Sequence, residues 1–265
     1  PRGLRQSVYC LSAFMLPQLE TLHIESVLLS GEKGSCDHQL FQFNPNLLQE
    51  LTIQSLYGLG QSAARDAGLV ELLKRTPRIK SLNLDTFNSS FSLPDDLIPE
   101  LQTFSGRAEM VLHVCRGRPV RNLRTQPSQS WINVNNTPNL VCPGSVPLQH
   151  LSISRVIWED DTMEYIARRA PELISLEIRS GRENGKLSTR YHMPQLRRAT
   201  FLSVNGPWYG DGPKGNKAEN EARLLRDSRD FWPELEYLRL DPNYFWRYSS
   251  SDGSWAHVKE VQWNE

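Results

Sequence analysis

The chain has 265 residues, 38% of them hydrophobic and 23% charged, and its 30 basic and 30 acidic side chains leave no formal net charge. That balance removes the electrostatic footprint of a nucleic-acid or anionic-membrane binder. Four scattered cysteines, Cys10, Cys36, Cys115 and Cys142, form no CxxC or Cys/His pair, so neither a zinc site nor a dense disulfide framework is implied and reduced thiols in the cytoplasm or nucleus are the simpler reading.

The opening PRGLRQ lacks a methionine and reads as the start of a fragment or trimmed chain whose N-terminal module is absent. No apolar run approaches the roughly 20 residues that span a bilayer, and no signal-peptide core is present. LPQLETLHIE (16–25) then sets a phrase that returns along the chain: apolar-x-x-apolar-x-apolar, here Leu19, Leu22 and Ile24. A loop rich in Gly and Ser over 30–45 leads to NLLQELTIQ (46–54), a helical pattern over 61–75 and TPRIKSLNLD (76–85). Weaker copies follow at IPELQTFSG (98–106) and RPVRNLRT (118–125), and then a loop over 125–146. VPLQHLSIS (146–154), a helical pattern over 160–170, APELISLEIR (170–179) and the weaker MPQLRRATF (193–201) come next. A loop over 205–217, a helical pattern over 218–232, WPELEYLRLD (232–241) and the weak HVKEVQW (257–263) complete the series.

First anchors recur at gaps of 19 to 39 residues, most of them near the roughly 20–29 residue period of a leucine-rich repeat. Second and third anchors are two apart and so share one face of a strand, while the residues between them point away. In six copies a proline lies two residues before the first anchor, at Pro17, Pro77, Pro99, Pro171, Pro194 and Pro233. There it disfavours helix in its predecessor and opens a strand without losing a ladder hydrogen bond. The unit is therefore helix, turn, strand, and stacking buries what one unit cannot. The Asn or Cys usual three residues beyond the third anchor is replaced by Val27, Leu56, Phe87, Val156, Gly181 and Val204, and only Asn243 fits. The expectation is an α/β fold: one domain over 1–265, an irregular leucine-rich-repeat solenoid with parallel strands on one face and helices on the other.

Chemical motifs are weak. In the loop 206–217, Gly210 and Gly215 have phosphate-loop spacing, but Asn216 stands where the lysine belongs and neither Ser nor Thr follows Lys217. RGRP (116–119) resembles a minor-groove hook, yet its flanks MVLHVC and VRNLRT read as apolar and in register with a repeat strand, so a solvated charged edge is favoured. The six histidines belong to no G-x-S-x-G or H-E-x-x-H context. No cofactor, metal or catalytic residue is expected. Trp246, Trp255 and Trp263 read as the cover of a terminal repeat.

The face expected to act is the outward side of the strands: Thr21, His23 and Glu25; Glu50, Thr52 and Gln54; Ser81, Asn83 and Asp85; His150, Ser152 and Ser154; Ser175, Glu177 and Arg179; Tyr237, Arg239 and Asp241. At about 4.8 Å per strand, ten strands give a surface roughly 40 Å long. That is enough for a standard protein interface of about 800 Å² on each side. Of these, His23, Glu25, Thr52, Gln54, Asn83, Asp85, Ser152, Ser154, Glu177, Arg179, Arg239 and Asp241 are the candidate partner-binding residues.

The irregular repeats with LPxL-like openings, and above all IPELQTFSGRAEMVLHVCRGRPVRNLRT (98–125), resemble the leucine-rich-repeat portion of fungal F-box-type proteins. The resemblance covers most of the chain and specifies architecture, with no catalytic residue to carry over. It implies a non-enzymatic scaffold whose repeats select a protein substrate for a ubiquitin ligase. It implies the Skp adaptor as a partner only where an F-box lies upstream, since the chain itself shows none. The competing expectation, from a different class, is an enzyme or small-ligand binder with its site in the loops 125–146 and 205–217.

Overall fold

The aliphatic triplets become neighbouring rungs of parallel ladders in a computed structural model. It describes residues 3–6, 19–24, 27–29, 47–53, 56–58, 62–84, 93–126, 132–133, 140–141, 144–159, 161–183, 190–203 and 217–259. The fold is α/β with mostly parallel strands, and the chain forms two compact units: Pro1–Gln126 with Pro143–Val146, and Pro127–Cys142 with Pro147–Glu265.

The first unit contains β1 Gly3–Gln6, β2 Thr21–Ile24, β3 Val27–Leu29, β4 Glu50–Ile53 and β5 Leu56–Gly58. It continues with α1 Ser62–Arg75, β6 Ser81–Leu84, β7 Thr103–Gly106, α2 Ala108–Cys115 and β8 Asn122–Thr125. Strands β1, β2, β4, β6, β7 and β8 pair in that order, all parallel, with Leu4, Leu22, Leu51, Leu82, Phe104 and Leu123 aligned. Leu22, Leu51, Leu82, Phe104 and Leu123 are all buried, and burying each such side chain contributes about 2 kcal/mol. Phe104 is larger than the leucines beside it, and the next inward position answers with Gly106. A Cβ there would lie 2.6 Å from Phe104 Cζ and 3.0 Å from Leu84 O, so the ring fills the space that a side chain would need.

The second unit contains β9 Ile132–Asn133, β10 His150–Trp158, α3 Thr162–Arg169, β11 Ser175–Glu183 and β12 Arg198–Ser203. It ends with α4 Lys217–Phe231, β13 Tyr237–Asp241, β14 Tyr244–Ser249 and β15 Ser254–Lys259. Strands β9 through β13 pair in parallel, and the aligned rung Leu151, Leu176, Ala199 and Leu238 is buried. From β13 the direction reverses: β14 and β15 add on as antiparallel strands. HVKEVQW is therefore not a further parallel repeat in its described part, and its first anchor Val258 is only half-buried in β15.

Two backbone devices repeat. The carbonyl just ahead of each strand accepts two successive amides from the next: Gln49 O takes Lys80 N at 2.8 Å and Ser81 N at 3.0 Å, and Ile174 O takes Arg197 N at 2.9 Å and Arg198 N at 3.1 Å. Glu20, Lys80, Gln102, Gln149 and Arg197 do the same. This fixes register before the side chains meet. Pro77, Pro171 and Pro233 follow the ends of α1, α3 and α4 as expected, but the described repeat prolines do not open the strands, because each stands second in a β-turn closed by the first anchor's amide. Leu101 N donates to Ile98 O around Pro99, Leu173 N to Ala170 O around Pro171, and Leu235 N to Trp232 O around Pro233. Proline's fixed φ suits that position. Pro17 lies outside the described residues.

The missing Asn is replaced by more strand. Val27 and Leu56 open β3 and β5, which pair with each other. Val156 pairs with both Ile132 and Ser180, at a register shift where Arg155 takes φ 59°. The Ser180 hydroxyl donates to Val156 O at 2.9 Å in a buried position.

Segment 108–115, read as strand-like, is the helix α2. Ala108, Met110, Val111, Val114 and Cys115 face inward at helical spacing, as suits the crossover connection that joins parallel β7 to β8. Arg118 closes its end. Although 1% exposed, its guanidinium donates to Leu97 O at 2.9 Å, Val114 O at 2.6 Å and Pro94 O. The clamp supports buried Ile98, a β-branched residue at φ 44°.

Candidate functional site

Alternation within each strand decides which side chains reach solvent. With Leu51 and Ile53 buried, Glu50 is exposed and Thr52 half-buried, and the same division recurs in β6 and β13. In the first unit this gives two outward rows: Thr21, Glu50, Ser81, Thr103 and Asn122, and His23, Thr52, Asn83, Ser105 and Arg124. Neighbours in these rows bond to one another. Thr21 donates to Glu50 at 3.3 Å and Asn122 to Thr103 at 3.0 Å, while Gln126, just past the end of β8, donates to Ser105 at 3.0 Å. The Oδ1 atom of Asn83 is buried and has no hydrogen-bond partner among the described residues.

The second unit shows a different surface. One row runs His150, Ser175, Arg198, Tyr237 and Arg247, and another Ser152, Glu177, Thr200 and Arg239. Ser154, Arg179 and Leu202 form a third. Glu177 accepts from Ser152 at 2.9 Å and pairs with Arg179 at 2.8 Å. Arg239 donates to the Asp241 carbonyl at 3.2 Å and to that of Pro242, while the Asp241 carboxylate receives Asn243 N at 2.9 Å. These last two residues stabilise the turn into β14. Burial, reinforced by the Arg198 guanidinium, holds His150 below the usual imidazole range.

Of the residues expected to bind a partner, His23, Thr52 and Asn83 fall into one row of the first unit. Ser152, Glu177 and Arg239 fall into one row of the second, with Ser154 and Arg179 beside it and Asp241 at the end of β13. Glu25, Gln54 and Asp85 lie outside the described residues. Ser105 and Arg124 join the first row from the weak copies at 98–106 and 118–125, where the same offset from the anchors marks them. Arg198 has that signal too, beside Ala199. Arg247 and Phe245 carry none, because only the reversed β14 places them on this face.

RGRP is not a charged solvated edge throughout. Arg116 is exposed, but Arg118 is buried and consumed by carbonyls, and the turn uses Gly117 at φ 72°. Burial pushes the neighbouring Cys115 thiol far up and keeps it protonated, which removes it as a nucleophile. At the C-terminal side the aromatic cover is a hairpin, with Tyr244 donating to buried Glu221 of α4 at 2.7 Å and Arg229 lying 4.0 Å over Tyr248. Trp246 and Trp255 lie half-buried in it, and Trp263 is outside the described residues. Among the described residues no group of three His, Cys, Asp or Glu side chains is arranged to hold a metal, and no helix is long and apolar enough to cross a membrane. Of the loop 205–217 only Lys217 is described, and of 125–146 about half.

No family model matches the chain, and neither curated proteins nor solved structures give a significant match.

Proposed function

We propose that the chain is a protein-recognition scaffold of irregular leucine-rich repeats, serving as the substrate-selecting part of an F-box-type ubiquitin ligase receptor. The carrying observation is the pair of aligned outward faces, where successive strands put polar side chains at one register position while the anchors stay buried. Mixed polar, charged and aromatic rows suit a protein surface better than a small apolar ligand. The stretch 98–125 supports the receptor reading through its likeness to F-box repeat regions. Among the described residues the Cys115 thiol is buried and held protonated, and His150 lies in a row with Ser175 and Arg198.

The test is purification of the full-length natural chain from its source cell, scored for Skp and cullin recovery and for ubiquitylated co-purifying proteins. Recovery of Skp and cullin, with loss of the substrate but not of Skp in Asn83→Arg or Thr200→Arg variants, is the expected result. Absence of both Skp and any face-dependent protein overturns the reading.

A further inference from the structure

Within the second unit the outward face carries one cluster whose chemistry is specific. Arg198, Tyr237 and Arg247 lie in one register row across β12, β13 and β14. Phe245, two residues before Arg247 and on the same face, stacks on Tyr237 with ring centroids 4.7 Å apart. Both arginines are exposed and both rings half-buried. No ion pair joins either arginine to a carboxylate among the described residues, whereas Arg179 and Arg239 are held by Glu177 and by turn carbonyls. His150 extends the row at its far side.

We propose that this cluster binds an extended acidic peptide segment of a protein partner, with one apolar anchor side chain on the Tyr237–Phe245 ring pair and a carboxylate on each of Arg198 and Arg247. This rests on the protein-recognition reading above and names its ligand class. Two strand spacings separate the arginines by roughly 10 Å, and residues four apart in an extended chain, roughly 13 Å, share a face and lie within the reach of the two long arginine side chains. The recognised pattern is therefore acid, spacer, anchor, spacer, acid, which puts both carboxylates and the anchor on one side of the peptide. Arginine and tyrosine are the side chains that dominate binding energy at such surfaces, and guanidinium presents a fork that carboxylates match. A continuous polyanion is disfavoured, because Glu177 and Asp241 interrupt the positive surface on the adjoining positions and the whole chain is neutral.

The experiment selects random displayed dodecapeptides on the whole chain and measures a fluorescein-labelled peptide containing Glu-Ser-Phe-Ser-Glu by anisotropy, beside its Lys-Ser-Phe-Ser-Lys counterpart and a single-stranded oligonucleotide of equal length. Selected sequences should be acidic with an apolar or aromatic residue between the acids, and the acidic probe should bind at least tenfold tighter than the basic one. Binding should fall at least tenfold in the Arg198→Glu/Arg247→Glu double variant and weaken with salt, while near-ultraviolet circular dichroism stays unchanged. Arg198→Gln/Arg247→Gln, the milder change, should give an intermediate loss. Peptides without acidic enrichment, equal affinity for wild type and double variant, or tighter binding of the oligonucleotide overturn the proposal. If the double variant still retains the protein recovered from cells, this inference fails and the scaffold reading stands. If nothing is recovered from cells but the acidic probe binds as described, the receptor reading fails alone.

Discussion

The two units use one rung pattern and finish their strands in opposite ways. In the first, strands of four residues stop early, and a buried guanidinium gathers the carbonyls left by α2 and the turn before β7. In the second, β10 and β11 run for nine residues each and pass through a register shift, so that paired backbone and a single hydroxyl do the same task. A charge held by several acceptors is a concentrated solution, and a longer ladder is a distributed one. The outward faces differ in parallel: hydroxyl and amide rows in the first unit, arginine and aromatic rows in the second.

The largest effect should come from the concentrated device. Arg118→Leu removes the guanidinium from the carbonyls of Leu97 and Val114 and leaves Pro94 O with Leu97 N alone, which should cost about 3–5 kcal/mol in sum, at about 1–3 kcal/mol for each orphaned buried acceptor. Urea unfolding and hydrogen exchange, with protection lost first in α2, β7 and β8, check it. The matched loss in the second unit, Ser180→Ala, removes one buried hydrogen bond and should cost only about 1–2 kcal/mol. Equal costs would erase the contrast between the two.

Within the first unit, Gly106→Ala drives a methyl against Phe104 and should cost about 1–3 kcal/mol. Phe104→Leu removes the ring contact but not the close Leu84 carbonyl, so the alanine should cost less in its presence without becoming neutral, and a double-mutant cycle measures the coupling. Additive costs would show that the ring and the glycine are independent.

The smallest effect concerns the faces. Arg198→Gln should raise the His150 pKa towards the ordinary 6.5 without reaching it, because burial persists. With its pKa depressed in the folded state, His150 favours folding above that ordinary value, and this is lost as pH falls through the depressed one, since the unfolded chain takes the proton first. The variant should soften this acid-side decline. An imidazole titration followed by NMR, unchanged by the substitution, would separate His150 from the arginine row.

Much of the ladder was legible because two-residue spacing and burial are the same information: Leu82 and Leu84, or Ile153 and Leu151, have only one face on which to be dry. The outward set followed by subtraction. What escaped depends on partners distant in sequence. The segment MVLHVC is apolar enough for strand or helix, and the need for a crossover between β7 and β8 decides it. Arg118 reads as solvated until the carbonyls of Pro94 and Leu97 are placed around it. The prolines were noticed for what they forbid, although their position is set by what they fit, the second corner of a turn. Phe245 and Arg247 became part of a face only through the reversal after Asp241, which no parallel template contains.

That reversal bears on how such a chain lengthens over generations. A series of like-oriented units grows by copying any member into the row, since each copy offers its successor the same edge. The hairpin β14–β15 interrupts that series, because β14 runs against the repeat strands and only β15 returns to their direction. A unit copied between β12 and β14 would part Arg198 from Arg247, so the row that the hairpin completes keeps its make-up only when copies enter upstream of β12.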